Sequence, residues 1–222
     1  MGAVPRFCLL SLALPASVTP AWIDRFYDGL LSLAEAHDTI LAGGDLAKSD
    51  RIACDIVCCG AVKPGHAILR STARPNDAIY VSGTLGGSAL GLATNRGAAL
   101  RRHLRPEPRL ALGRRLHRFH ATAAMDLSDG LSIDLDRMCR ASNTTARLDR
   151  LPIFRGATRD QALHGGEDYE LLFTAPPRSR LPQVFDGIPI TRIGTMHEGA
   201  ASGPRVFLDG QPVPVLGHDH FR

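Results

Sequence analysis

No stretch of this chain holds the roughly 18 consecutive apolar residues that a membrane-crossing helix needs, and no internal repeat or low-complexity segment interrupts it. Its five cysteines are odd in number and form neither a C-x-x-C pair nor a zinc spacing with histidine, so a disulfide framework and a structural zinc site are both set aside. The nine histidines include no H-E-x-x-H pattern. A Walker lysine is missing, and so is G-x-G-x-x-G, which removes the two commonest nucleotide-binding signatures. The cysteine usage fits a reducing compartment, and cytoplasm is the expected location.

What is present is ordinary globular composition: 222 residues, 44% apolar and 22% charged, enough for one large or two small domains with a real core. The net charge of +4 is concentrated in Arg101, Arg102, His103, Arg105, Arg109, Arg114, Arg115 and Arg118. A nucleic-acid surface ranks below a solvated helix face here, because no aromatic residues interleave with the arginines and no binding motif accompanies them. No nucleic-acid or membrane partner is expected, whereas an electropositive surface suits anionic phosphorylated substrates.

Chemistry concentrates in three acidic segments. Asp126-Leu127-Ser128-Asp129-Gly130 follows the short apolar run Ala123 to Met125 and precedes Leu131, Leu135 and Met138 at helical spacing. That order puts both aspartates at a helix N-terminus, where free backbone N–H groups favour anions. Capping and binding of a hard cation such as Mg2+ both remain open. Gly43-Gly44-Asp45 follows a strand-like run, Thr39 to Ala42; taken alone it reads as turn chemistry, yet two glycines also admit a ligand close to the backbone. Gly165-Gly166-Glu167-Asp168 runs into another apparent strand, Tyr169 to Thr174. Three glycine-and-acid segments beside strands are harder to dismiss than one.

Strand and helix signals alternate along the rest. Thr19 caps a predicted helix with Pro20 at its first position and Ile23, Phe26, Leu30, Leu33 and Ala34 as its apolar stripe. Before it, Arg6 and the run Phe7 to Leu14 imitate a signal peptide, but a buried strand explains them equally well. Arg51 to Val62 reads as a strand in which Cys54 and Cys58 are buried as small apolar side chains. Turn-rich points at Lys63-Pro64-Gly65 and Arg74 to Asp77 place a domain boundary there, with domains at 1–66 and 67–222. Gly83 to Ser88, between a strand and a helix, reads as tight packing more readily than as a phosphate loop. Helices near Pro108 to Phe119 and Leu131 to Ser142, a strand at Ile188 to Ile193 and a Val206 to Val215 hairpin turning at Asp209-Gly210 complete an α+β pattern.

The segments GGDLAKSD, LRSTARPNDAIYVSGTLGGSALGL, HLRPEPRLALG, MDLSDGLSIDLDRM, LHGGEDYELLFTAP and GHDHF, in that order, resemble the thiamine-monophosphate kinase family. The resemblance implies a two-domain aminoimidazole ribonucleotide synthetase-like fold, ATP- and Mg2+-dependent phosphorylation of thiamine monophosphate to thiamine diphosphate, and a homodimer whose first domains pair through their sheets. It also implies roles. Gly44, Asp45, Arg70 and Ser128 belong with ATP, Asp45, Asp126 and Asp129 with metal, and Glu167 and His218 with the thiamine substrate; no residue is implied as acid or base. Such a kit is chemically sufficient, because transfer between phosphates needs charge neutralisation and in-line positioning without a covalent nucleophile.

The sequence departs from the family in places. Met1 to Leu14 resembles an internal family segment, so the first domain is expected to be truncated, without an Asp-Asp metal motif that the family places earlier. A catalytically impaired relative that retains the fold, or another member of the same ATP-binding superfamily, is the alternative, and little kinase activity is expected of the chain as written. Leu46 and Ala47 stand where the family usually has threonines, the Phe154 to His164 stretch is short, and His218 replaces a usual aromatic.

Overall fold

A computed structural model of the chain describes residues 2–199 and 202–218. It resolves into two compact units, residues 3–65 and the chain from His66 onward.

In the first unit, β1 (Val4–Leu14) lies at the centre of a three-stranded sheet, parallel to β2 (Ile40–Lys48) and antiparallel to β3 (Ala53–Ala61). The Phe7 to Leu14 run is thus an interior strand, and its burial alternates with period two: Cys8, Leu10 and Leu12 are buried, while Phe7, Leu9 and Ser11 are exposed. Helix α1 (Pro20–Ala36) connects β1 to β2, beginning as its sequence predicts with Thr19 accepting from the Trp22 N–H at 3.3 Å and Pro20 in the first turn. None of its residues is buried; Ile23, Phe26, Leu30 and Ala34 are half-buried.

Two expectations differ from the fold. Gly43 and Gly44 do not end a strand but sit inside β2, where the register with β1 skips a residue between Cys8 and Leu9. Gly44 has φ of +155°, and a Cβ there would lie 1.7 Å from the Leu10 carbonyl oxygen, so the close approach that requires glycine is to the neighbouring strand. Cys54 and Cys58, expected to be buried, are exposed. They pair across to the buried Leu12 and Cys8, but β3 is an edge strand and nothing covers its outer side within the unit.

The second unit is built on a larger mixed sheet. Its strands are β4 (Ala78–Ser82), β5 (Ala123–Asp126), β6 (Thr144–Leu148), β7 (Leu171–Ala175), β8 (Val184–Phe185), β9 (Ile188–Glu198), β10 (Val206–Leu208) and β11 (Gln211–Pro212). They run in the order β11-β10-β6-β9-β4-β7-β5, with β8 paired to β9. The β10–β11 hairpin turns at Asp209-Gly210.

Alternation along the strands produces two apolar layers. Ile79, Val81, Ala123, Leu172 and Ile193 belong to one, with Leu131, Leu135 and Met138 of α5 (Leu131–Ser142) and Ala162 and Leu163 of α6 (Arg159–His164). Tyr80, Ala124, Leu171 and Phe173 belong to the other, with Leu112 of α4 (Leu110–Arg115), Leu116 of the 3-10 turn that follows it, and Ile68. Strand β7 has both faces covered and is buried along its whole length, which is why it reads as a continuous apolar run.

Two further helices, α2 (Gly87–Thr94) and α3 (Gly97–Leu104), follow β4 and pack on each other. The mixed strand directions and separate helices make the fold α+β. Among the described residues no helix is long and apolar enough to cross a membrane.

Candidate functional site

Strands β5 and β7 are antiparallel neighbours, with Asp126 opposite Leu171. The segment leaving β5 and the segment entering β7 therefore lie side by side, and their backbones bond to each other. The Glu167 N–H donates to the Ser128 carbonyl at 2.7 Å, Tyr169 to Leu127 at 2.9 Å, and Leu127 to Glu170 at 2.9 Å. Two motifs far apart in sequence thus form the floor of one cleft of about 730 Å3, lined by residues including Ser128, Asp129, Glu167, Tyr169, His103 and His218.

The helix that follows the first motif starts beyond both aspartates. Gly130 is the N-cap, with φ of +120° and no side-chain cap bond. Neither Asp126 nor Asp129 does the capping left open by the sequence. Asp134, inside the first turn and fully buried, accepts instead from the Ser128 and Asp129 N–H groups at 3.1 and 3.0 Å. Burial pushes the Asp134 carboxyl up, against these bonds and an Arg137 contact of 2.9 Å. Arg137 also pairs with Asp129. Asp126 is exposed at the end of β5, and Ser128 and Asp129 are half-buried.

The second motif is arranged around Tyr169. Its phenol is pushed up by burial first, then by the negative charges of Glu167, Asp126 and Asp129. Three acids of the two motifs, Glu167, Asp126 and Asp129, therefore lie near enough to the Tyr169 phenol to act on it. Glu167 is exposed, with His103 3.4 Å from its carboxylate; the same His103 nitrogen lies 2.8 Å from Ser88 Oγ. His218 reaches the cleft because its backbone N–H donates to the Asp129 carbonyl at 3.2 Å and Ser132 Oγ donates to the Leu216 carbonyl at 2.5 Å. Asp219 to Phe221 of the closing motif lie outside the described residues.

Behind this surface lies a polar cluster that inspection of the sequence missed. Glu170 is completely buried, gripped by Arg109 through Nε at 2.8 Å and Nη2 at 2.7 Å, by Arg102 at 2.8 Å, and by Ser82 Oγ at 2.5 Å. Bonding to Glu170 raises the Arg109 guanidinium further. The arginine-rich stretch is accordingly not a uniformly solvated face, since Arg102 and Arg109 turn inward with side chains only 17% and 14% exposed. Asp168 is also buried. It accepts from the Gly86 and Ser88 N–H groups at 2.5 and 3.1 Å. The N-terminus of α2, the geometry a phosphate loop would use, is thus filled by an internal carboxylate. The available signal was the period-two spacing of Asp168 and Glu170 leading into an apolar strand.

Other residues fall elsewhere. Arg70 is exposed and does not line the cleft; its carbonyl accepts from Ser142 Oγ at 3.0 Å. Gly44 and Asp45 lie in the first unit. There Asp45 lines a separate pocket of about 200 Å3 with Ser11 and Asp55, to which the register places it adjacent across β1. No group of three or more histidines, cysteines and acids gathers as a metal cage among the described residues. Hard carboxylate oxygens are nevertheless present, from Asp129 in the cleft lining and from Asp126, exposed at the end of β5 outside that lining, and they suit Mg2+, which is commonly held by one or two carboxylates together with water and substrate phosphates. Asp126 and Asp129 are the residues that would hold it.

A two-domain chain with an open cleft on its second sheet defines a class, and the family models for AIR synthase related proteins match both parts: the N-terminal domain over residues 1–62 and the C-terminal domain over 74–206. Within that class the chain belongs to the thiamine-monophosphate kinase family, whose members are phosphotransferases. It is 39% identical to thiamine-monophosphate kinase of Escherichia coli strain K12 over 248 residues, covering all of this chain and 75% of that one. Among solved structures it is similar to thiamine-monophosphate kinase from Stenotrophomonas maltophilia K279a, at 36% identity and TM-score 0.84, covering 96% of this chain and 74% of that one. It is also similar to AaThiL complexed with AMPPCP and TMP, at 31% identity and TM-score 0.88, covering 99% and 75%.

Proposed function

We propose that this chain transfers the terminal phosphoryl group of ATP to thiamine monophosphate, giving thiamine diphosphate, with Mg2+ held by Asp126 and Asp129 and with Arg70 and Ser128 serving the nucleotide. The observation that carries the reading is the convergence of Ser128, Asp129, Glu167 and His218 in one cleft of a chain from this family. The similar AaThiL was captured with AMPPCP, a non-hydrolysable ATP analogue, and TMP, which supports both ligands here. The carboxylates of Glu167, Asp126 and Asp129 near Tyr169 suit a divalent cation and the cationic thiazolium ring alike. Bound Mg2+ would supply neutralisation of the phosphates during transfer. Glu167 orients the thiamine moiety, and His218 borders it.

The reading extends to a cytoplasmic homodimer. Phe7 and Leu9 on β1 are exposed in register with Ile40 and Val57 on the flanking strands, an apolar row that a second copy of the same sheet would cover.

The direct test is chromatographic detection of thiamine diphosphate from thiamine monophosphate, ATP and Mg2+, with calorimetry for each ligand. In parallel, Glu167→Gln weakens thiamine monophosphate binding about tenfold, or about 1.4 kcal/mol, and leaves ATP binding within about twofold. Absence of both product and thiamine monophosphate binding would sink the proposal; equal losses of both ligands in the variant would make Glu167 structural.

A further inference from the structure

The segment from Glu167 to Glu170 alternates between two environments. Glu167 and Tyr169 line the cleft, and Asp168 and Glu170 are buried behind it. An extended strand would give the same alternation, but the backbone here is not extended: Glu167 has φ of +63° and Tyr169 of +49°. Both values lie in the left-handed region, which residues with a Cβ rarely adopt. Two such residues separated by one position need something that overrides local preference, and the buried acids between and after them are the anchored points.

Asp168 is fixed from one side by the Gly86 and Ser88 N–H groups, while Arg102 Nε lies 3.4 Å from its carboxylate. Arg102 also donates to the Thr84 carbonyl at 2.8 Å and to Glu170 at 2.8 Å, so one guanidinium spans the loop before α2 and the motif. Glu170 is clasped by the two-pronged Arg109 contact, and Ser82 Oγ, which donates to it, accepts in turn from the Leu171 N–H at 2.9 Å. With these acids pinned, the intervening residues have their backbone directions set, and their N–H groups meet the Ser128 and Leu127 carbonyls.

We propose that Asp168 and Glu170, with Arg102 and Arg109, are positioning residues that hold Glu167 and Tyr169 in left-handed conformations and so present both side chains to the cleft before any ligand arrives. Preorganisation of this kind removes an ordering cost from binding. The inference rests on the cleft being the thiamine monophosphate site for its binding readout alone, because its first readout needs no ligand.

The experiment compares the full chain with Asp168→Asn and Glu170→Gln by residue-resolved amide hydrogen exchange and by calorimetry. Arg109→Lys, which keeps the charge and loses the two-pronged contact, serves if Glu170→Gln does not fold. The expected result is at least tenfold faster exchange at the Glu167 and Tyr169 amides, with Ile193 in β9 within twofold of the parent. Thiamine monophosphate binding weakens at least fivefold, with ATP binding within twofold. Unchanged exchange at Glu167 and Tyr169, or acceleration in parallel with Ile193, overturns the proposal, as does altered exchange with thiamine monophosphate binding intact. A parent chain that does not bind thiamine monophosphate would instead count against the functional reading, and the exchange data would still decide whether the segment is held by the buried acids.

Discussion

The two units solve the problem of a half-covered sheet differently. In the second, helices or loops lie on both faces of β7 and its neighbours, and the buried acids Asp168 and Glu170 arrive with guanidinium partners. In the first, the buried residues of β1 stop at Cys8, Leu10 and Leu12, the connecting helix buries nothing completely, and an apolar row stays open. The second unit therefore has the means to hold a site rigid by itself. The first presents surface whose stability depends on what covers it.

The largest expected effect sharpens that contrast. Glu170→Ala leaves Arg102 and Arg109 facing each other without their carboxylate and should destabilise the chain by about 3–5 kcal/mol, as expected for breaking a buried ion pair. Asp55→Ala, on the open sheet of the first unit, should change stability by no more than about 0.5 kcal/mol. Urea denaturation of both variants checks the pair, and similar losses would break the comparison. Next in size is Leu9→Ser. If a second copy covers the β1 row, the variant loses about 0.6–1.2 kcal/mol of apolar burial per side chain, since 39% of Leu9 remains to be covered, and shifts from dimer to monomer in light scattering. No shift in mass would leave that face uncovered and confine the dimer to another surface.

The smallest effect is a pH slope. Burial raises the Asp134 carboxyl, so the folded chain keeps a proton that the unfolded chain has released. Stability from this group is greatest below the ordinary carboxylate range and falls as pH rises through the raised value. Asp134→Asn should flatten that part of the profile of denaturation midpoint against pH. An unchanged slope would assign it to other carboxyls.

The floor of the cleft was legible because glycine-acid segments next to apolar strands are visible in any one sequence. Its supports were not. Arg102 and Arg109 looked like members of a basic face because the carboxylate that turns them inward lies 68 and 61 residues away. Nothing in the local pattern singles out Asp134; only the fold shows that the loop before the helix bends back over it. Cys54 and Cys58 failed for the opposite reason. Alternation gave the correct face of β3, but edge position rather than pattern decides whether that face is covered. Helix α1 was readable to its first residue, since proline and a threonine cap act locally.

The acids of the second motif also constrain how such a sequence can diverge. Gly83, at φ of +61°, leaves room for Glu170 Oε1, which a Cβ there would approach to 2.1 Å, and Asp168 takes the N–H groups of Gly86 and Ser88. A lineage that replaced Gly83 would have to change Glu170 at the same time, and one that lost Asp168 would expose a helix end with bare N–H groups in the interior. The strand-loop-helix around Gly83 to Ser88 and the motif around Glu167 to Glu170 are consequently one interlocked unit, in which a change on either side acts on the other.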